Sequence, residues 1–146
     1  MFPAHGITHA HLVGDLVITR AYGAFNLEGV QLAAHKVRSL VNANALSQWR
    51  LLECFAADTL LTPDAERAVR DFYLHAVKMG CCELALVCQN ALQRQLAERI
   101  LETVAVKCQF FDCFHSAKSS LLFEDVTDSH RFIRGANACE GMLLSA

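Results

Sequence analysis

The stretch of residues 48–80 constrains the fold most, because it predicts a buried strand, a polar loop and a capped helix in succession. Residues 50–57 form a short, largely apolar run, which is typical of a strand covered on both faces. The loop 58–62 follows, and Thr62 is placed to cap a helix that begins at Pro63. Apolar residues then recur at three- and four-residue steps up to a closing glycine. Binding sites of open α/β sheets lie at the carboxyl ends of strands, so this loop is the first candidate for function.

The rest of the chain repeats the alternation of strand and helix. Residues 7–12 and 15–22 predict two strands joined as a hairpin, since Val13-Gly14-Asp15 is a turn signal. Asn26 is a candidate N-cap for a first helix, although Gly29 is expected to weaken the first turn. Two more strands are predicted at 82–88 and 106–111, and two more helices after Asn90 and Asp112. This order predicts a single α/β domain with a mixed, mostly parallel sheet of about five strands and about four helices.

The regular pattern weakens after Glu124. Residues 125–130 are mostly polar, and the small residues beyond them follow no clear period. We therefore expect residues 1–124 to form the domain and residues 125–146 to form an irregular C-terminal tail.

Composition and charge exclude several classes of function. Thirteen Lys and Arg against fifteen Asp and Glu give a net charge of −2, which predicts no basic face for nucleic acid. No apolar run approaches the roughly 20 residues of a membrane span. The first residues lack a basic segment followed by an apolar core, so no signal peptide is expected and the predicted location is cytoplasmic.

Seven cysteines, an odd number, include no Cys-x-x-Cys pair. Reduced thiols acting as small apolar side chains in a cytosolic core explain them best. His9 and His11 would share one face of the first strand, but no third ligand suggests itself nearby, so a solvated face is expected. The sequence therefore predicts no bound metal and no cofactor.

Three segments resemble the STAS domains and the related SpoIIAA-like group, which are named for sulfate transporters and anti-sigma-factor antagonists. They are Gly14-Asp15-Leu16-Val17-Ile18 in the hairpin, Gly23-Ala24-Phe25-Asn26 before the first helix, and Phe111-Asp112-Cys113-Phe114 with Ala117 and Leu121 near the end. Together with the order of strands and helices, the resemblance covers roughly residues 7–123. It implies a SpoIIAA-like fold and a non-catalytic regulatory or interaction module.

In the antagonist branch of that family, a kinase partner phosphorylates a serine in the loop that corresponds here to Asp58, Thr59, Leu60, Leu61 and Thr62. Asp58-Thr59 is the nearest equivalent of the family's Asp-Ser step, whereas the second serine and the glycine are absent. The resemblance implies that this loop binds a protein, kinase-like or sigma-regulatory, or a small ligand, and it allows a homodimer. Thr59 and Thr62 are the phosphorylation candidates, although helix capping explains Thr62 better.

Two alternatives stay open. The spacing of Cys88 and Arg94, between a predicted strand and a helix, is that of thiol phosphatases and sulfurtransferases, which hold a thiolate and grip an oxyanion with arginine. The loop between them contains no glycine, and the cysteine is not preceded by a histidine. A non-catalytic function is therefore favoured. The second alternative is an apolar-ligand carrier, because SEC14-like carriers have a distantly similar arrangement of sheet and helices.

Overall fold

The computed structural model of the chain describes residues 2–122. The strands are β1 (Ile7–Val13), β2 (Leu16–Tyr22), β3 (Ala24–Phe25), β4 (Trp49–Phe55), β5 (Leu60–Leu61), β6 (Cys81–Val87) and β7 (Lys107–Phe111). The helices are α1 (Leu27–Ala43), α2 (Pro63–Lys78), α3 (Ala91–Leu101) and α4 (Phe114–Leu122). The predicted α/β class, the hairpin, the five-stranded mixed sheet and the four helices are confirmed within these residues. The predicted tail at 125–146 lies outside the described residues, so the domain boundary stays a prediction.

The main sheet has the strand order β1-β2-β4-β6-β7. Only the β1–β2 hairpin pairs antiparallel, and the other neighbours pair in parallel. The remaining two strands, β3 and β5, are two residues long and pair with each other in parallel, which the sequence did not predict. This small pair ties the start of α1 to the start of α2 at the carboxyl end of the main sheet.

Helices cover both faces of the sheet. One core packs α1, α2 and α3 against the face that carries Leu51 and Leu84, and a second core packs α4 against the face that carries Leu52 and Ala85. Neighbouring residues of a strand point to opposite faces, so Leu51 and Leu52 enter different cores. Leu52 therefore lies on the α4 side of the sheet, whereas Phe72 of α2 packs on the opposite side.

The N-terminal segment crosses the first turn of α1. Asn26 caps the helix by accepting from the Gly29 amide at 2.9 Å. Its side chain also accepts from the His5 amide at 2.8 Å and donates to the Pro3 carbonyl oxygen at 2.9 Å. A Cβ at Gly29 would collide with the His5 carbonyl oxygen. Gly29 is thus the residue that lets the crossing chain approach the helix, beyond being a weak helix former.

Helix α2 begins and ends as predicted. The Thr62 hydroxyl accepts from the Ala65 amide at 3.3 Å, and Pro63 occupies the first turn. Gly80 follows the end of α2 with φ of +103°, and a Cβ there would collide with the Ser47 carbonyl oxygen. Both the turn and the close approach therefore require glycine at this position.

Candidate functional site: a cavity beside the 58–62 loop

A cavity of about 80 Å³ lies between the main sheet and the helices α1, α2 and α3. Most of its wall is apolar, with Phe25, Phe55 and Phe72 among the lining side chains. Thr59 and Leu61 of the 58–62 loop also line it, so the loop and the cavity form one site. A mainly apolar pocket with a few placed polar groups is the usual composition of a small-molecule site.

Glu53 is the acidic group of this cavity. It lies on β4 opposite Thr19 of β2, and both side chains face the helices. The Tyr73 hydroxyl, from α2, donates to Glu53 Oε1 at 2.5 Å, and the Thr19 hydroxyl donates to Glu53 Oε2 at 3.2 Å. Two hydroxyl donors from different elements therefore fix the carboxyl group at the cavity wall.

The environment of this pair opposes ionisation. Removal from water raises the pKa of Glu53, although the hydrogen bonds from Tyr73 and Thr19 act to lower it. Burial also holds the pKa of Tyr73 well above its ordinary value, and the nearby Glu53 carboxyl raises it further. The site is therefore arranged to keep a proton on Glu53 over a wider pH range than an exposed glutamate would.

Thr8, on the edge strand β1, supplies a second polar group. Its side chain lines the cavity and the residue is 6% exposed, yet its Oγ1 atom has no hydrogen-bond partner. The Lys36 ammonium donates instead to the Thr8 carbonyl oxygen at 2.7 Å, without lining the cavity. A buried hydroxyl without a partner costs free energy, so Thr8 is a polar group of the cavity wall that has hydrogen-bonding capacity left.

The first two residues of the loop hold it on the end of β2. Asp58 Oδ1 accepts from the Gly23 amide at 3.1 Å, and the Thr59 hydroxyl donates to the Ala21 carbonyl oxygen at 2.9 Å. Thr59 is 6% exposed, so it belongs to the interior rather than to the surface of the loop. The polar pair at 58–59 is thus used to position the loop.

Helix α3 holds the same loop from the other side. Gln93 is buried, and its Nε2 atom donates to the Ala56 carbonyl oxygen at 2.8 Å and to the Thr59 carbonyl oxygen at 3.3 Å. Beyond this clamp, Leu60 is 55% exposed while Leu61 lines the cavity. The loop therefore links the interior of the cavity to an apolar side chain on the surface.

The two phosphorylation candidates lie in different environments. The Thr59 hydroxyl is buried and engaged with β2, so a kinase would reach it only after the loop opened. Thr62 is exposed, and its hydroxyl donates to Asp64 Oδ1 at 2.6 Å while it caps α2. Capping is thus observed for Thr62, whereas modification of either residue stays a prediction.

The contacts of Cys88 and Arg94 do not support the thiol-enzyme alternative. Cys88 is 6% exposed, and burial raises the pKa of its thiol to about 11 against the lesser opposing effect of Arg94. The Arg94 guanidinium lies over the Phe110 ring at 4.6 Å, and it pairs with Glu98 at 3.9 Å. A reactive cysteine needs a lowered pKa and access to substrate, and Cys88 has neither.

Sequence reasoning missed most of the polar groups of the cavity, namely Thr8, Thr19, Glu53, Tyr73 and Gln93. One signal was available, because Glu53 is the acidic residue within an otherwise apolar strand pattern, on the same face as Leu51. A charge at such a position needs a partner or a function. The partner itself could not be read from the local pattern.

Metal and membrane features are absent from the described part of the chain. Residues 2–122 contain no group of three or more His, Cys, Asp or Glu arranged to hold a metal ion. The ring of His9 instead contacts Tyr22, with centroids 5.9 Å apart. None of the helices within this range is long and apolar enough to cross a membrane.

The sheet order and the helices on both faces define a SpoIIAA-like α/β fold, as the STAS resemblance implied. The chain is similar to the crystal structure of an uncharacterized protein of the DUF3478 family, with a SpoIIAA-like fold, from Shewanella loihica PV-4. The TM-score is 0.59 at 14% sequence identity, over 82% of this chain and 95% of that one. No protein-family model matches the chain, and no curated protein matches it. At this identity the likeness establishes the fold.

Proposed function

We propose that the protein is a non-catalytic STAS-like module that binds a small ligand in the cavity beside the 58–62 loop. The observation that supports this most is the cavity itself, which combines an apolar wall with the Glu53 carboxyl and the unpartnered Thr8 hydroxyl. A purely structural void would carry no need for either polar group, since both lose hydration there.

The polar groups of the cavity suit binding rather than catalysis. Glu53 and Tyr73 are its titratable lining residues, and burial raises the pKa of each above its ordinary value. No cysteine, histidine or lysine is among the described residues that line it. A nucleophile with its base and an orienting group, the usual set of a covalent enzyme, is therefore missing from this site.

The 58–62 loop gives the ligand a route to influence the surface. Leu61 contacts the cavity, and Leu60 beside it is exposed. Occupancy of the cavity would restrict the loop and with it the apolar side chain offered to a protein. A kinase-like or sigma-regulatory partner, and the homodimer, stay predictions of the STAS resemblance.

The test fills the cavity from α1. Ala34→Leu places a larger side chain at a lining position, and Ala43→Leu makes the same change at an exposed position of the same helix. Native mass spectrometry of protein from its source cells, followed by extraction, should find a small molecule on the wild type and on Ala43→Leu but not on Ala34→Leu.

Equal retention of that molecule by Ala34→Leu, with unchanged melting, would contradict binding in the cavity. If Ala34→Leu fails to fold, Val69→Phe fills the same space from α2 and replaces it in the comparison.

A further inference from the structure

The charge of the cavity wall limits the chemistry of its ligand. Glu53 is the one acidic side chain among the described lining residues, and no Lys, Arg or His is among them. An anionic ligand would therefore meet a carboxyl group and no cation. The cavity is mainly apolar, so repulsion between like charges is strong there and disfavours an anion. A ligand that donates hydrogen bonds or carries positive charge fits the wall.

Resting on the proposed function, we propose that the ligand is a small organic amine whose ammonium group binds Glu53 and whose polar far end meets the Thr8 hydroxyl. Each Glu53 oxygen accepts one hydrogen bond from Tyr73 or Thr19, whereas a carboxylate offers about four acceptor positions. Acceptor capacity is thus left for an ammonium group, and the two hydroxyls hold the carboxylate in place for it.

The aromatic side chains of the cavity favour the same ligand. Phe25, Phe55, Phe72 and Tyr73 all line it, and they come from the small β3 strand, from β4 and from α2. An organic cation within about 6 Å of an aromatic face is attracted by the ring quadrupole, and more so when water is excluded. A carboxylate among aromatic rings is a recurrent way to hold an ammonium group.

Register and volume set the size of the ligand. Thr8 lies opposite Ala21 on β2, and Glu53 lies opposite Thr19 of the same strand. Their backbones are thus two strand spacings apart across the sheet, roughly 10 Å, and two residues apart along β2, roughly 7 Å, so the diagonal separation is roughly 12 Å before the two side chains shorten it. The cavity of about 80 Å³ is smaller than the roughly 150 Å³ that hold benzene. A chain of about four carbons with a polar group at each end suits both limits.

Binding of an ammonium group requires an ionised Glu53, so the affinity should depend on pH. Burial raises the pKa of Glu53, and a bound ammonium would lower it, with release of a proton. The affinity should therefore rise as the pH rises through that pKa.

Other ionisable groups near Glu53 do not share this titration. The pKa of Tyr73 is raised, and the thiols of Cys54 and Cys81 have pKa values of about 12.

The full chain is titrated with four probes of matched length: butylamine, aminobutanol with its amine and hydroxyl at opposite ends, butanol, and butyrate. Binding is measured from the shifts of the backbone amide NMR signals around the cavity. Both amines should bind about tenfold more tightly than butanol, equivalent to about 1.4 kcal/mol, and butyrate should not bind. Glu53→Gln preserves the size of the side chain and should lower the amine affinities to that of butanol. Aminobutanol should bind more tightly than butylamine, because its hydroxyl meets that of Thr8. Thr8→Val preserves the shape of the side chain and should remove only this difference in affinity.

The outcomes separate the two proposals. Butanol binding as tightly as butylamine, or amine binding unchanged in Glu53→Gln, would overturn the amine inference and leave a ligand cavity in place. No response to any probe, in the wild type and in Ala34→Leu alike, together with no retained molecule in the mass spectra, would mean that the cavity holds water only. That result would overturn both proposals.

Discussion

Replacing Gly29 with alanine tests how the N-terminal segment is held on α1. In an unconstrained helix this change stabilises the chain by about 1 kcal/mol, because glycine is the poorer helix former. Here an added Cβ would collide with the His5 carbonyl oxygen, which crosses the first turn of α1. To relieve that collision, the residues before Gly6 have to move away from the helix.

Two hydrogen bonds to Asn26 set the cost of that movement. The His5 amide donates to its side-chain oxygen at 2.8 Å, and its side-chain nitrogen donates to the Pro3 carbonyl oxygen at 2.9 Å. Each bond contributes about 0.5–1.5 kcal/mol, so the loss of both costs about 1–3 kcal/mol. The better helix propensity of alanine offsets about 1 kcal/mol of this cost. Gly29→Ala should therefore lower the free energy of unfolding by up to about 2 kcal/mol.

Urea unfolding of the full chain and of a chain that begins at Gly6 separates the two effects. The shortened chain lacks the colliding carbonyl group, so the same substitution should raise its free energy of unfolding by about 1 kcal/mol. Equal stabilisation of both chains would refute the reasoning, because the segment would then impose no constraint on the helix. An equal decrease in the free energy of unfolding of both chains would place the strain within α1 itself, and not where the N-terminal segment crosses it.

Three other variants or measurements test the core and the site. Phe72→Ala should lower the free energy of unfolding by about 3 kcal/mol, the lower part of the range for a core aromatic, because Phe72 already borders the cavity. A loss below about 1 kcal/mol in a urea melt would contradict the packing of α2. Glu53 has a raised pKa, so its favourable contribution is present at acid pH and is lost as the pH rises through that pKa. Glu53→Gln should therefore be more stable than the wild type at neutral pH and converge with it near pH ~4, and thermal melts showing the opposite trend would contradict a raised pKa. Iodoacetamide at neutral pH should label the exposed Cys82 well before Cys88, whose pKa is about 11; peptide mapping that finds Cys88 first would restore the thiol-enzyme alternative.

Local signals were enough to predict the order of strands and helices. The caps at Asn26, Thr62 and Asn90 each accept from a backbone amide three residues ahead, so they depend only on nearby sequence. The end of α2 at Gly80 is equally local, because the turn needs a positive φ that glycine adopts without strain. The two-residue strands β3 and β5 were missed, since segments so short have no period to detect.

The candidate site was predicted only in part. The 58–62 loop was singled out because it follows a buried strand, and Thr59 and Leu61 do line the cavity. The inward position of Thr59 was not predicted, because its hydrogen bond goes to Ala21, 38 residues away in the sequence. A polar residue in a loop looks the same in sequence whether it faces solvent or closes a cavity.

The sequence by itself determined the α/β class, the parallel alternation of strand and helix, and the position of the loop at the carboxyl end of β4. These follow from periodicity and capping, which act over a few residues. Only the tertiary structure decided which core each apolar residue enters and where three helices leave a space above the sheet. It also placed the Tyr73 hydroxyl on Glu53, 20 residues away, and left the Thr8 hydroxyl without a partner. Such a space depends on how distant side chains pack together, so no local pattern contains it.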